Sequence, residues 1–111
     1  LCTMDYAFEK KWKELTKQLE AQFGADMELD AILFLIGVQE LGQGFRKFSK
    51  DEKMHLMHIS VCRLLEPYGH YEFVGNDEDG WPHFKKIEEL PPLQAEDQQL
   101  LMKRAILEYF N

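Results

Sequence analysis

Leu29-Asp30-Ala31-Ile32-Leu33-Phe34-Leu35-Ile36-Gly37-Val38-Gln39-Glu40-Leu41 is the most apolar run in the chain, and its reading decides the fold. Turned at about 100° per residue, Ala31, Phe34, Leu35, Val38 and Leu41 form one apolar stripe. Leu29, Ile32 and Ile36 point the other way, into the sector of Gln39, Glu40 and Gln43. The first two turns are therefore apolar all round, and such a helix is buried on most sides. The run is too short to cross a membrane, which takes about 20 apolar residues. A buried strand competes for any short apolar run, but the length and the polar flanks favour a helix. Gly37 at its middle costs about 1 kcal/mol against Ala, which predicts a close helix crossing there.

Working outward, Met4 to Phe23 has helical spacing. Phe8, Trp12, Leu15, Leu19 and Phe23 make a narrow apolar seam, and Glu9, Lys10, Lys13, Lys17 and Glu20 stand opposite. Gly24 reads as the stop, and Asp26 as the N-cap of the central helix. Gly42 and Gly44 end that helix. Ser49-Lys50-Asp51-Glu52 is a capping box and opens a third helix running to about Leu65, because Glu66 before Pro67 disfavours helical geometry. Its apolar arc holds Met54, Met57, Val61, Cys62, Leu64 and Leu65, with Glu52, Lys53, Ser60 and Arg63 toward water. The short link between the second and third helices predicts an antiparallel pair.

The segment at about 67–92 differs in kind. It carries Tyr68, Tyr71, Phe73, Trp81 and Phe84 around the turn-like Gly75-Asn76-Asp77-Glu78-Asp79-Gly80. His70–Val74 and Trp81–Phe84 could pair as a two-stranded ribbon, which would need helices to lean on; Trp81 is its expected buried anchor. A last helix runs from about Ala95 to Phe110, with Leu101, Met102, Ala105, Ile106, Tyr109 and Phe110 on its apolar side and Leu100 and Leu107 outside the main stripe. The expected fold is mainly α: one domain, a compact bundle of about four helices with a short irregular or two-stranded insert before the last.

Composition narrows the function. In 111 residues, 45% hydrophobic and 13% aromatic content supports a packed core. A net charge of −7 disfavours nucleic acid and anionic membranes as partners. Two cysteines, Cys2 and Cys62, form no disulfide framework, and no signal-peptide pattern precedes the first helix, so a cytoplasmic protein is expected. No phosphate loop, nucleotide fingerprint or nucleophile motif is present, and no catalytic residue is assigned.

Leu64-Leu65-Glu66-Pro67-Tyr68-Gly69 followed by Gly80-Trp81-Pro82-His83 resembles a group of short bacterial proteins without an assigned function. The resemblance covers roughly 29 to 110. It implies a bacterial cytosolic origin and transfers no site residue.

The best metal-ligand pattern is Glu52, His55 and His58 at i,i+3 spacing, with Glu40 facing them across the helical hairpin and His70 and His83 supplied by the insert. Carboxylate with imidazole suits zinc or iron. Against that, a di-iron bundle needs a second Glu-x-x-His helix, and His58 falls inside the apolar arc, which reads as a core histidine. Its neighbour Cys62 is no activated thiolate, since apolar surroundings raise a thiol pKa. The 75–86 segment fails as a calcium loop, because Gly75 and Lys86 would occupy positions that need side-chain oxygens. The leading expectation is a non-enzymatic interaction module, a homodimer without cofactor; the alternative is a metal- or ligand-binding protein using these Glu and His residues.

Overall fold

The computed structural model describes residues 6–24, 27–90 and 92–110. Four helices follow one another: α1 (Tyr6–Phe23), α2 (Leu29–Leu41), α3 (Lys50–Leu65) and α4 (Ala95–Tyr109). Between α3 and α4 lie a single 3₁₀ turn at Glu66–Tyr68 and two strands, β1 (Tyr71–Asn76) and β2 (Pro82–Lys86), paired antiparallel. The fold is mainly α with a two-stranded insert, as the hydrophobic pattern predicts.

Capping explains the helix ends. Gly24 at φ +71° closes α1, and Gly42 at φ +73° closes α2 with its N–H donated to the Val38 carbonyl. At α3 the reciprocal box forms: the Glu52 N–H donates to Ser49 Oγ at 3.1 Å, and the Ser49 N–H donates to Glu52 Oε1 at 2.8 Å. The N-cap of α2 is Glu28, without a side-chain bond, rather than Asp26; Asp26 itself, like Cys2 and the expected start of α1 at Met4, lies outside the described residues. Glu66 keeps helical angles (φ −58°, ψ −47°) despite the proline that follows, so the chain tightens into a 3₁₀ turn where a stop was expected.

The α2 helix runs through two apolar clusters. Its first half joins Leu19, Leu64, Ala105 and Ile106, and its last turns join Phe48 and Leu56. Ile32 and Ile36, on the side opposite the stripe, are its most deeply buried residues, because α1 and α4 contribute to that cluster. The contact with α3 is the most extensive between helices. It is close because Gly37 lies directly on the α3 backbone. A Cβ there would stand 2.9 Å from the Leu56 carbonyl carbon and nearer still to its oxygen.

This crossing turns α3 away from its expected orientation. Leu56, Ile59, Ser60 and Cys62 are buried, while Met54 is 64% exposed and His58 is exposed. His58 is therefore no core histidine, and Ser60 does not face water. The close crossing selects the face centred on Leu56, and hydrophobicity alone could not choose between that face and the Met54 side. Ser60 is a small residue one turn beyond Leu56, and its Oγ finds no hydrogen-bond partner. The insert rests on the smaller cluster through Trp81, which is half-buried rather than fully enclosed.

Two stability outcomes follow from this packing. Gly37→Ala should lower stability by about 1–3 kcal/mol, because overpacking against rigid backbone exceeds the gain in helix propensity of about 1 kcal/mol. A urea midpoint equal to or above the parent's would show that the helices separate freely. Ser60→Ala should leave stability unchanged or raise it by about 1 kcal/mol, since it deletes an unsatisfied buried hydroxyl; a clear loss in the same assay would mean the hydroxyl is bonded.

Candidate functional site

The six residues with metal-ligand chemistry in the sequence are dispersed. Glu40, at the end of α2, accepts Arg63 Nε at 2.6 Å on one oxygen and the Tyr109 hydroxyl at 2.6 Å on the other. Glu52 is engaged by its own helix cap and by Arg46 Nη2 at 3.4 Å. His58 lies 3.5 Å from Cys62 Sγ through Nε2, its ring edge-on to Tyr71. His70 Nδ1 is 3.1 Å from the Glu88 carbonyl. Among the described residues, no three His, Cys, Asp or Glu side chains gather as a metal-holding group. Only His55 and His83 come together, with ring centroids 6.3 Å apart.

Arg63, expected to face water, is instead a junction. Its Nη1 donates to Glu66 Oε1 at 2.6 Å while its Nε holds Glu40. Its guanidinium lies 5.2 Å from the Phe73 ring centre and 5.0 Å from that of Phe84, and these two rings are cross-strand partners. The Phe73 N–H donates to the free oxygen of Glu66 at 3.3 Å. One cation thus ties the end of α2, the end of α3 and both strands, and Tyr109 adds α4 through Glu40. Burial, together with the Glu40 carboxylate, pushes the Tyr109 hydroxyl well above the ordinary tyrosine range. The Cys62 thiol is pushed up to about 11 by burial, which leaves it a poor nucleophile.

At the hairpin turn, Asp77 is held on all sides. Its Oδ1 accepts the N–H groups of Asp79 at 2.9 Å and Trp81 at 3.0 Å, and its Oδ2 lies 2.9 Å from His83 Nε2. The His83 contact, then the Trp81 backbone bond, hold its carboxyl below the usual range. Gln43 Nε2 donates to the Asp79 carbonyl at 2.9 Å, fastening the turn to the α2–α3 loop. From α3, His55 packs edge-on against Trp81 with centroids 5.1 Å apart.

A third feature is a groove of about 720 Å³ between α1 and α4, lined by Phe8, Leu15, Leu107 and Phe110, with Lys11, Arg104, Glu14 and Glu108 among its polar groups. Tyr68 reaches its wall and bonds Glu108. Arg104 lies over the Phe8 ring across it, and Lys103 over the Trp12 ring links the same two helices outside its lining. No family model matches the chain, and none of the curated proteins or solved structures compared with it matches.

Tyr109→Phe should cost about 1.5–3 kcal/mol at neutral pH, the usual worth of a hydrogen bond to a charged group. Because the folded state raises the hydroxyl pKa above about 10, the contribution is complete below that pH and is lost as pH rises through the folded value. The variant should therefore show a shallower alkaline loss of stability than the parent. Parallel urea-midpoint curves from pH 8 to 11 would contradict the Tyr109–Glu40 bond.

Proposed function

We propose that this chain is a non-enzymatic interaction module that works as a two-fold homodimer through the α1–α4 face. The observation that supports this reading is the state of α1. It is an 18-residue amphipathic helix, yet Leu19 is the one side chain it buries completely. Phe8, Trp12 and Leu15 are half-buried, and Phe23 is exposed. On α4, only Ala105 and Ile106 are fully buried. A helix of this pattern obtains most of its stability from packing its apolar face, and here that face is only partly covered. The radius of gyration, 14.8 Å, exceeds the roughly 13 Å of a closely packed domain of this length.

The partner that fits is a second copy. The groove carries two cations, Lys11 and Arg104, and two anions, Glu14 and Glu108. A two-fold axis can set the cations of one copy against the anions of the other twice over, as an isologous interface requires. The insert reaches this face through Tyr68 at the groove wall, while Trp81 packs at the other cluster. The α2 helix offers no alternative face, being almost wholly enclosed. The acidic balance, −7, argues against nucleic acid and anionic membranes. No helix among the described residues is long and apolar enough to cross a membrane. With a free, buried Cys62, the reading is of a cytoplasmic protein, and the resemblance of its 64–69 and 80–83 segments makes it a bacterial one.

Sedimentation equilibrium at micromolar concentration should give twice the chain mass of 13.1 kDa. Leu107→Glu should return the mass to that of one chain while the far-ultraviolet circular dichroism stays helical. A parent protein that sediments cleanly as one chain would end the homodimer reading.

A further inference from the structure

We propose that the α2–α3 loop and the first turn of α3 form a docking surface for an acidic peptide segment of a protein partner, one that carries an apolar side chain among its carboxylates. The surface rests on the interaction-module reading but does not need the homodimer. It is separate from the α1–α4 groove, whose lining includes neither Phe45 nor any cation of the loop. It joins an aromatic ring held out in water to a basic patch on an acidic chain.

Phe45 is 63% exposed, and its ring centre lies 6.0 Å from that of Phe23, itself an exposed residue. The loop that carries it is fastened on both sides. Arg46 Nη2 donates to Gln43 Oε1 and to Glu52 Oε2, each at 3.4 Å. The Arg46 guanidinium also lies 4.4 Å from the Phe48 ring centre, and Phe48 is buried in the smaller cluster. Gln43 is tied in turn to the Asp79 carbonyl. With its neighbours held, Phe45 is presented ready for contact, and a pre-organised group loses less on binding. Aromatic side chains are enriched where proteins meet.

The chain has 13 Lys and Arg against 20 Asp and Glu. The 45–53 segment reverses that balance, with Arg46, Lys47, Lys50 and Lys53 against Asp51 and Glu52. Glu52 is already engaged by Arg46 and by the Ser49 N–H. Lys47, Lys50 and Lys53 are exposed, and among the described residues none of them has an ion-pair partner. The Arg46–Glu52 contact folds the loop back on the start of α3, which gathers these cations beside Phe45. The hairpin turn with Glu78 and Asp79, joined at Gln43, bounds the surface, so an anionic segment lies toward α3. A peptide meets the lysines well within the roughly 8 Å over which charges act at physiological salt. An anionic bilayer would instead face the whole chain at −7 and be repelled.

The test uses the full chain and two synthetic peptides that differ only in charge, leucine flanked by glutamates and leucine flanked by lysines. The glutamate peptide should shift the backbone amide NMR signals of residues 43–53, less so as sodium chloride is raised. The lysine peptide should leave them in place. Phe45→Ala should weaken binding about tenfold, as loss of an aromatic anchor does, with circular dichroism and sedimentation mass unchanged. Lys47→Glu combined with Lys50→Glu should weaken it at least as much, and Lys85→Glu, on β2, should not. Signals that stay still up to millimolar glutamate peptide would overturn the surface, as would shifts centred on Phe8 and Leu107 in the groove. Binding to phosphatidylserine vesicles that Phe45→Ala abolishes would overturn it in favour of a membrane. A parent that sediments as one chain and still binds the glutamate peptide would end the homodimer and support this surface, so the two readings fail separately.

Discussion

The absence of a side chain at Gly37 is the constraint from which the arrangement of helices follows. Only there can α2 lie against the Leu56 backbone, with no room for a methyl group between them. The close approach brings Leu56 to full burial against α2, and Ile59 and Ser60 on the same helix are buried too, although the Ser60 hydroxyl is left without a partner. A bulkier residue at Gly37 would push the helices apart and open voids around Ile36 and Leu56. Interiors are packed so densely that a mismatch of even one methylene is felt.

Once α3 is fixed at this angle, the positions of Arg63 and His55 are fixed too. Arg63 falls beside the last turn of α2, where Glu40 takes its Nε, and beside the strands, where Phe73 and Phe84 cover its guanidinium. Arginine suits this place better than lysine would, because its planar fork can hold two carboxylates while its face meets aromatic rings. A two-stranded ribbon is marginal by itself. This one gains the Arg63 stack and the Glu66–Phe73 bond at one end, and the Trp81 packing and the Gln43–Asp79 bond at the other. The insert is held at both ends, which is why seven aromatic and histidine rings can sit in order on so short a segment.

Periodicity made the helices legible. The apolar run over 29–41, the Ser49 capping box and the terminal glycines carry local signals that the structure repeats nearly residue for residue. The crossing at Gly37 was legible as well, since a helix-breaking residue in an otherwise apolar helix needs a packing reason. What the sequence could not convey was rotation. The third helix is apolar over a wide arc, and nothing local says that Leu56 faces inward while Met54 and His58 face out. Arg63 was invisible for the same reason: its partners come from Glu40, 23 residues earlier, and from strands that follow it. Asp77 carried a signal that could have been read, an Asx residue two before its backbone donor, but its hold on His83 depends on the register of the hairpin.

The two open features of the molecule lie on different neighbours of α2. The groove belongs to the half of α2 that packs with α1 and α4, and the loop carrying Phe45 to the half that packs with Phe48 and Trp81. Between them stands Glu40, bonded at once by Arg63 and Tyr109. Any displacement of α4 that closed the groove would have to carry Tyr109 with it or break its bond to Glu40. Breaking that bond would leave a half-buried carboxylate with Arg63 as its remaining partner, and would tighten rather than loosen the hold on Arg63. The ribbon stacked on Arg63 would then stay in place while α4 moved. The same geometry that joins α2, α3 and α4 therefore leaves the hairpin held by Arg63 independently of the Tyr109 bond.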